Sequence, residues 1–450
     1  MAGLKFRDGI TSGGFRPHFA WYIVGMATLL QLTTNFVSQA FAILMVVLQD
    51  SFGWTLTAIT MAYFLRSIVG AVLSPLSGWI GDRYGARRAM LVGAGLYIAG
   101  MLLLSTINHV WQLYLYYSLI LGVAQGLFRV NIPTTVAAWF KRRLGLAVGI
   151  QQSFGGMGAS IMAPALALLL SRVDWQTGFL LIGSIGGVVV LVLLWRFYGD
   201  PVDRGLNPYG TAAADPPPHP ALVNPEYTKL RGREFMRAAR RTRAFWNLPA
   251  IHHLGCIGHA IVMVHAVFHA HTLGVSLEKA SLIVSIYSLS SIASRFMTPI
   301  LADRFGAKGV MAFFYFIQGV TVFMLFWAYD PWQFYLFAFM FGIGFGGEMS
   351  AFLVINRQYY GMGPVRTVFG YQSLGSGTGM AIGGLIGSVV FDAFGSYDIA
   401  WLVSIGASLV GVVLILFLEP TSRVLIPDWE EALPPEARST PANREAPQPG

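Results

Sequence analysis

The stretch GDRYGAR at residues 81–87 returns as ADRFGAK at 302–308. Two more matches follow in the same order at nearly the same offset. LGVAQG (121–126) aligns with FGIGFG (341–346), and IQQSFGGMG (150–158) aligns with GYQSLGSGTG (370–379). Three ordered matches at one spacing mark an internal repeat, so the chain reads as two related halves.

What each half contains follows from composition. Of 450 residues, 55% are hydrophobic and 11% charged, with a mean hydropathy of +0.59; a soluble chain averages about 25% charged. Apolar runs near the ~20 residues needed to cross a bilayer recur twelve times, at 19–48, 55–80, 88–107, 111–138, 145–171, 176–198, 246–272, 278–301, 309–328, 332–359, 367–391 and 398–418. The fold class expected is an all-α membrane protein of twelve transmembrane helices in two pseudo-symmetric six-helix halves. Open sheet edges are excluded by the bilayer. The halves are set at 1–198 and 246–419, joined by a linker at 199–245 and followed by a tail at 420–450. That tail, rich in Pro, Glu and Arg, is expected to be disordered. The linker closes with RGREFMRAARRTRAFW, which suits either a basic amphipathic helix on the inner leaflet, anchored by Phe235, Met236 and Phe245, or a solvated stretch.

Charge placement gives orientation. Of 30 Lys and Arg, 25 fall in the N-terminus, the even-to-odd connections and the tail. Only Arg172 and Lys279 sit in connections on the other side. This is the positive-inside pattern, so both termini are expected in the cytoplasm of an inner-membrane protein. The basic balance thereby reflects topology and gives no reason to expect nucleic acid. The single cysteine, Cys256, lies in the seventh span and excludes a disulfide framework.

Twelve spans in two halves, with Gly78, Asp82, Arg83, Gly85 and Arg87 in a G-x-x-x-D-R-x-G-x-R pattern, resemble the major facilitator superfamily. WFKRRLGLAVGIQQSFG (139–155), the DRGLNPYG loop and Arg295 are similar to the monocarboxylate carriers and the oxalate/formate antiporter group. The resemblance implies a secondary transporter working by alternating access, with spans three, six, nine and twelve facing lipid. In those carriers the eighth-span arginine engages the substrate carboxylate, and Arg295 is the matching position. The acid those carriers usually place one turn earlier is Ser291 here. By the same resemblance Asp82, Arg83, Arg87, Asp303 and Arg304 form a gate, with the aspartates meeting neighbouring helix N-termini.

Four charged residues fall well inside spans: Arg66, Arg129, Arg295 and Glu348. A charge at the bilayer centre costs at least ~2.5–3.5 kcal/mol, so each needs a partner or water. An excess of arginine over acid suits a small carboxylate anion, because guanidinium binds carboxylate bidentately. Arg295, Arg66 and Arg129 are the candidate anion ligands, with Arg129 pairing alternatively with Glu348. Gln152, Gln372, Asn35 and Gln39 are candidate polar ligands or interhelical glue. Six of nine histidines crowd the seventh span. Of these His265 and His269 join Glu348 as candidates for proton coupling, the rest being read as structural.

No metal site, cofactor or enzymatic activity is expected, and neither a phosphate-binding loop nor a hydrolytic constellation is apparent. The reading is therefore a monomeric carrier of a small mono- or dicarboxylate with protons as the coupling ion. Anion exchange, inorganic anion transport and a non-transporting anion receptor are the alternatives.

Overall fold

The computed structural model describes residues 18–39, 48, 51–54, 56–154, 169, 172–211, 222 and 224–439. The described residues are helical apart from turns, loops and one isolated bridge between Phe140 and Tyr209. The first half contains α1 (Phe19–Gln39), α2 (Leu56–Tyr84), α3 (Ala86–Leu104), α4 (Val110–Ala138), α5 (described over 144–154) and α6 (Trp175–Arg196). The second contains α7 (Arg243–Thr272), α8 (Leu277–Phe305), α9 (Ala307–Phe326), α10 (Pro331–Tyr360), α11 (Arg366–Phe394) and α12 (Asp398–Leu416). Among the described residues, nine of these are long and apolar enough to cross a membrane. The exceptions are α1 and α8, of comparable length, and α5.

Several helices present exposed apolar faces. Residues Ile185, Val188, Val192 and Trp195 of α6, and Leu402, Val410 and Leu416 of α12, are exposed and apolar. So are Phe313 and Phe316 of α9 and Val92 of α3. These are the faces a lipid environment covers. The helices that carry the deep charges and the histidines pack against one another, with α7 along α11, α8 along α10, and α2 along both α4 and α11.

The two halves meet on the side that carries the linker, the linker face. Small residues make the approach possible. On α2, a Cβ at Gly78 or Gly81 would collide with Arg366 at the start of α11, and one at Gly370 of α11 with Ser74. On α5, a Cβ at Gly145 would strike the Pro299 carbonyl and one at Gly149 the Phe296 carbonyl, while Ser153 Oγ donates to Ile292 O (3.2 Å). Residues 145, 149 and 153 recur every four positions, so they form one stripe against α8. The linker face is shut by this packing.

The linker forms the expected basic amphipathic helix, but its apolar anchors are turned into protein instead of the leaflet. Asn224 caps a helix, Pro225–Ala239, by accepting from Glu226 N–H (2.9 Å). The apolar face of this linker helix is turned into protein: Phe235 is fully buried, edge-on to Trp429 (5.2 Å) and Tyr360 (6.0 Å). Phe245 belongs to α7 and is also buried. The tail expected to be disordered is, through residue 439, folded onto this helix with 3-10 turns at Trp429–Ala432 and Pro435–Ala437; residues 440–450 lie outside the described residues. Arg231, buried, donates to Glu430 Oε1 (2.6 Å), Ala437 O (2.9 Å) and Ser439 Oγ (3.2 Å). A buried guanidinium needs acceptors, and the tail supplies them.

Two outcomes follow. Gly145→Val should open the linker face, because neither the Pro299 carbonyl nor the helix backbone can yield. In a Cys256→Ser background, alkylation of Thr134→Cys, which is buried beneath that face, should accelerate at least several-fold; an unchanged rate would refute this account of closure.

Arg231→Ala should free the tail at a cost of about 1–3 kcal/mol, seen as tenfold or faster tryptic cleavage after Arg423 or Arg438. The pH dependence has a sign. Burial pushes the Glu430 carboxyl up, but hydrogen bonds from Arg231 and Ser439 outweigh burial and hold it below the usual Glu range. Docking is therefore fully stabilised above the ordinary Glu value and weakens only as pH falls through the lower folded one.

Candidate functional site

The residues expected to form a gate make exchanged helix caps. Asp82, at the end of α2, accepts from Thr367 N–H (2.8 Å), Thr367 Oγ1 (2.7 Å) and Arg366 N–H (3.3 Å), all at the start of α11. The first backbone N–H groups of a helix lack intrahelical partners, and the helix dipole favours a carboxylate there. Asp303, at the end of α8, does the same at the start of α5, accepting from Gly145 N–H (3.4 Å). Each half thus caps a helix of the other.

The basic residues of the gate are not the expected ones. Arg83 stacks over Trp79 (5.1 Å) and Tyr84, and Arg304 over Phe305 (5.3 Å). Arg87 donates to the Leu194 and Trp195 carbonyls within its own half (both 2.9 Å). The cations that cross between halves are Arg366 and Arg357. Arg366 lies 3.8 Å from Asp82 and 2.9 Å from Asp200. Arg357 donates to the Ala137 carbonyl and to Phe140 O (2.7 Å) at the end of α4. Arg357 stands in the last turn of the run 332–359 and Arg366 just before the run 367–391, where sequence alone reads them as topology-setting charge. The adjoining loops also meet: Tyr209 O of LNPYG accepts from the Lys141 and Arg142 N–H groups of WFKRR (2.9 and 3.1 Å).

Deeper in, the charged residues occupy two neighbourhoods. Arg66 is buried on α2 with its guanidinium over the Tyr117 ring (4.9 Å), donating to that hydroxyl (3.5 Å). Arg129 reaches from α4 across to α11, where Nη2 donates to Ser376 Oγ (2.5 Å). The alternative of an Arg129–Glu348 pair is not what forms. Glu348, fully buried on α10, lies 3.3 Å from His259 Nδ1, and Gly255 of α7 makes room for it, since a Cβ there would collide with the carboxylate. Arg295 on α8 is held over the Phe345 ring (4.9 Å), within electrostatic reach of Glu348. Its buried Nε has no hydrogen-bond partner among the described residues.

The structure redistributes the seventh-span histidines. His265 Nε2 contacts Gly384 O (3.0 Å), and its ring lies against Tyr397. His269 contacts Leu325 O (3.4 Å) beside Trp401. Neither is brought to Glu348; they fasten α7 to α11, α9 and α12. His252 and His259, which sequence reasoning left among structural histidines, are the ones at the buried acid. The signal available was their seven-residue spacing, which puts both on one helix face. Other candidates separate similarly. Gln372 and Asn356 exchange two reciprocal amide bonds (2.9 Å each), so Gln372 ties α11 to α10. Gln152 and Asn35 are half-buried, while the Gln39 side chain lies outside the described residues.

His252, Cys256 and Glu348 each place a ligand atom within 4.8 Å of the others. Such a donor set has borderline-metal chemistry, completed by an acid from another helix that spacing along α7 does not reveal. However, Arg129 lies within electrostatic reach of Cys256, and Arg295 within reach of Glu348. Two guanidiniums repel a dication and attract an anion, so the surroundings suit an anion better than a metal.

Comparison with known proteins places the family and the fold. The family model for the Major Facilitator Superfamily matches residues 27–268 and 251–446. The chain is similar to the oxalate:formate antiporter of Oxalobacter formigenes, 22% identical over 406 residues, covering 89% of this chain and 91% of that protein. It is 23% identical to the uncharacterized transporter YybO of Bacillus subtilis, covering 90% and 95%. Monocarboxylate transporter 12-B of Danio rerio is 27% identical over 186 residues, which is 38% of its length. Among solved structures, the proton:xylose symporter XylE superposes with a TM-score of 0.69 at 14% identity, covering 90% of this chain and 98% of that one. The chain belongs to the Major Facilitator Superfamily, as a multi-pass membrane transporter with the twelve-helix, two-half architecture of that family.

Proposed function

We propose that the protein carries a small organic anion bearing at least one carboxylate, by alternating access, and that it couples this movement to protons. The observation that carries the reading is Arg295: a guanidinium set over Phe345, with a buried Nε lacking a protein partner among the described residues. Glu348, the acid within its electrostatic reach, is in contact with His259. A carboxylate supplies the acceptors that this arrangement lacks. Arg129, extended between halves to Ser376, is the second ligand, exchanging the serine for substrate. Arg66, stacked on Tyr117, acts from the second helix on the field that the anion enters. Glu348 with His259 is the proton site, so the coupling role falls to His259 and not to His265 or His269. The exchanged caps at Asp82 and Asp303 hold the closed linker face. By the distribution of Lys and Arg, that face is cytoplasmic, both termini lie there, and the membrane is the inner one.

Exchange without protons is the second reading, supported by similarity to the oxalate:formate antiporter along 91% of its length. Uptake into proteoliposomes across mono- and dicarboxylates, with internal pH recorded, separates the two. Accumulation driven by a pH gradient supports symport; uptake only against preloaded anion rejects it. Arg295→Lys should weaken carboxylate binding about 10–100-fold, since a point charge replaces a bidentate fork. Binding equal to the unmodified protein would overturn the anion assignment. Glu348→Gln should abolish pH-driven accumulation while counterflow of preloaded anion persists. If accumulation survives, the coupling acid is elsewhere.

A further inference from the structure

A second basic site lies outside the transport path. Between the linker helix and the ends of α2 and α11 runs a groove of about 980 Å³. Its walls carry five basic side chains, Arg83, Lys229, Arg233, Arg237 and Arg240, against three acids, Asp82, Glu226 and Glu234. The acids leave it net basic. Asp82 is committed to Thr367 and Arg366, and Glu234 is shared between Arg233 (3.1 Å) and Arg237 (3.5 Å). Lys229, Arg233, Arg237 and Arg240 recur at intervals of four, four and three residues, one stripe along the helix. The side chains of Arg233 and Arg237 remain 75% and 70% exposed.

We propose that this groove binds the phosphate-bearing headgroup of an anionic phospholipid, and that the bound lipid braces the closed linker face. Phosphate is the ligand chemistry that several guanidinium forks and a lysine suit. What favours a lipid over a free phosphate is the far wall. Trp79, within the membrane-spanning part of α2 and 41% exposed, lines the same groove with Arg83 stacked on its ring. A partly exposed tryptophan beside cations marks headgroup depth, with acyl chain on one side and water on the other. Bracing follows from position. The linker helix touches both α2 and α11, and Asp82 and Thr367, the capping pair that opening must separate, line the groove themselves. A headgroup held there favours the state in which that pair is formed. Nothing in this depends on which anion is carried.

The test uses the full chain purified in a neutral detergent. Thermal unfolding is followed with added phosphatidylglycerol, phosphatidylcholine or inorganic phosphate. Phosphatidylglycerol should raise Tm by several degrees, with little effect of the other two at equal concentration. The triple variant Lys229→Gln, Arg233→Gln, Arg237→Gln should lose that rise. Should the triple variant not fold, Lys229→Glu, which leaves the Glu234 pairs intact, should cut the rise at least by half. In nanodiscs, phosphatidylglycerol should slow alkylation of Thr134→Cys (in Cys256→Ser) several-fold relative to phosphatidylcholine. The proposal is overturned by an equal rise with phosphatidylcholine, by an undiminished rise in the variants, or by an unchanged alkylation rate. A rise reproduced by inorganic phosphate would make it a free-anion site and reject the lipid. These readouts require no transport, so a failure to find carboxylate uptake leaves them standing.

Discussion

The architecture turns on a carboxylate of one half accepting backbone N–H groups of the other. Asp82 does this for α11 and Asp303 for α5. Neither helix start has an intrahelical partner for its first N–H groups, and neither aspartate is placed to satisfy an equivalent need in its own half. The interaction is strong when the halves meet and worth little when water replaces either side. An interface built this way can be held shut and still be released, which a purely apolar seam of the same area would resist. The glycines at 78, 81, 145 and 149 serve this end. They let the backbones approach until a short aspartate side chain can bridge them.

The repeat explains why the caps come in pairs. An element duplicated at one offset places its aspartate at related positions of both halves, and pseudo-symmetry points each at the other's helix. What the duplication does not copy is the deep charge. Arg66 has no counterpart near position 286, an isoleucine, and Arg295 none near position 75, a proline. Arg129 and Glu348, at nearly equivalent positions, carry opposite signs. The halves share the capping frame and differ in the deep charges, an asymmetry that suits the asymmetric anion proposed as cargo.

Much of this was legible in the sequence because the bilayer limits the solutions. Span number, the two-half organisation and the sites of the buried charges follow from run length, repeat offset and the cost of desolvating a guanidinium. The partners of those charges did not follow. Arg129 chooses Ser376 over Glu348, a matter of a few ångströms between helices that no spacing along one chain reports. The histidine assignment failed for the same reason. His265 and His269 look like a pair on one face, but the face looks at carbonyls of α11 and α9, while the buried acid sits two turns away. The linker helix shows a different limit. Its amphipathicity is visible in RGREFMRAARR, yet the surface that covers Phe235 is a tail whose composition reads as disordered. Composition does not register Arg231, whose bonds to Glu430, Ala437 and Ser439 hold that tail in place.

The caps and the proposed anion ligands lie on the same rods. Arg66 shares α2 with Asp82, and Arg295 shares α8 with Asp303, eight residues away, about 12 Å along the helix. Arg129 spans the halves to Ser376 of α11, whose first turn is the one Asp82 caps. An anion drawn between Arg129 and Arg295, as proposed, would therefore pull on the helices that the caps close, and a helix transmits that pull as a rigid body more readily than a loop does. The thermodynamic content is a shared equilibrium. Any free energy by which the anion prefers the arrangement with α4 near α11 is added to that of the caps, and the same amount must be returned before the linker face can part.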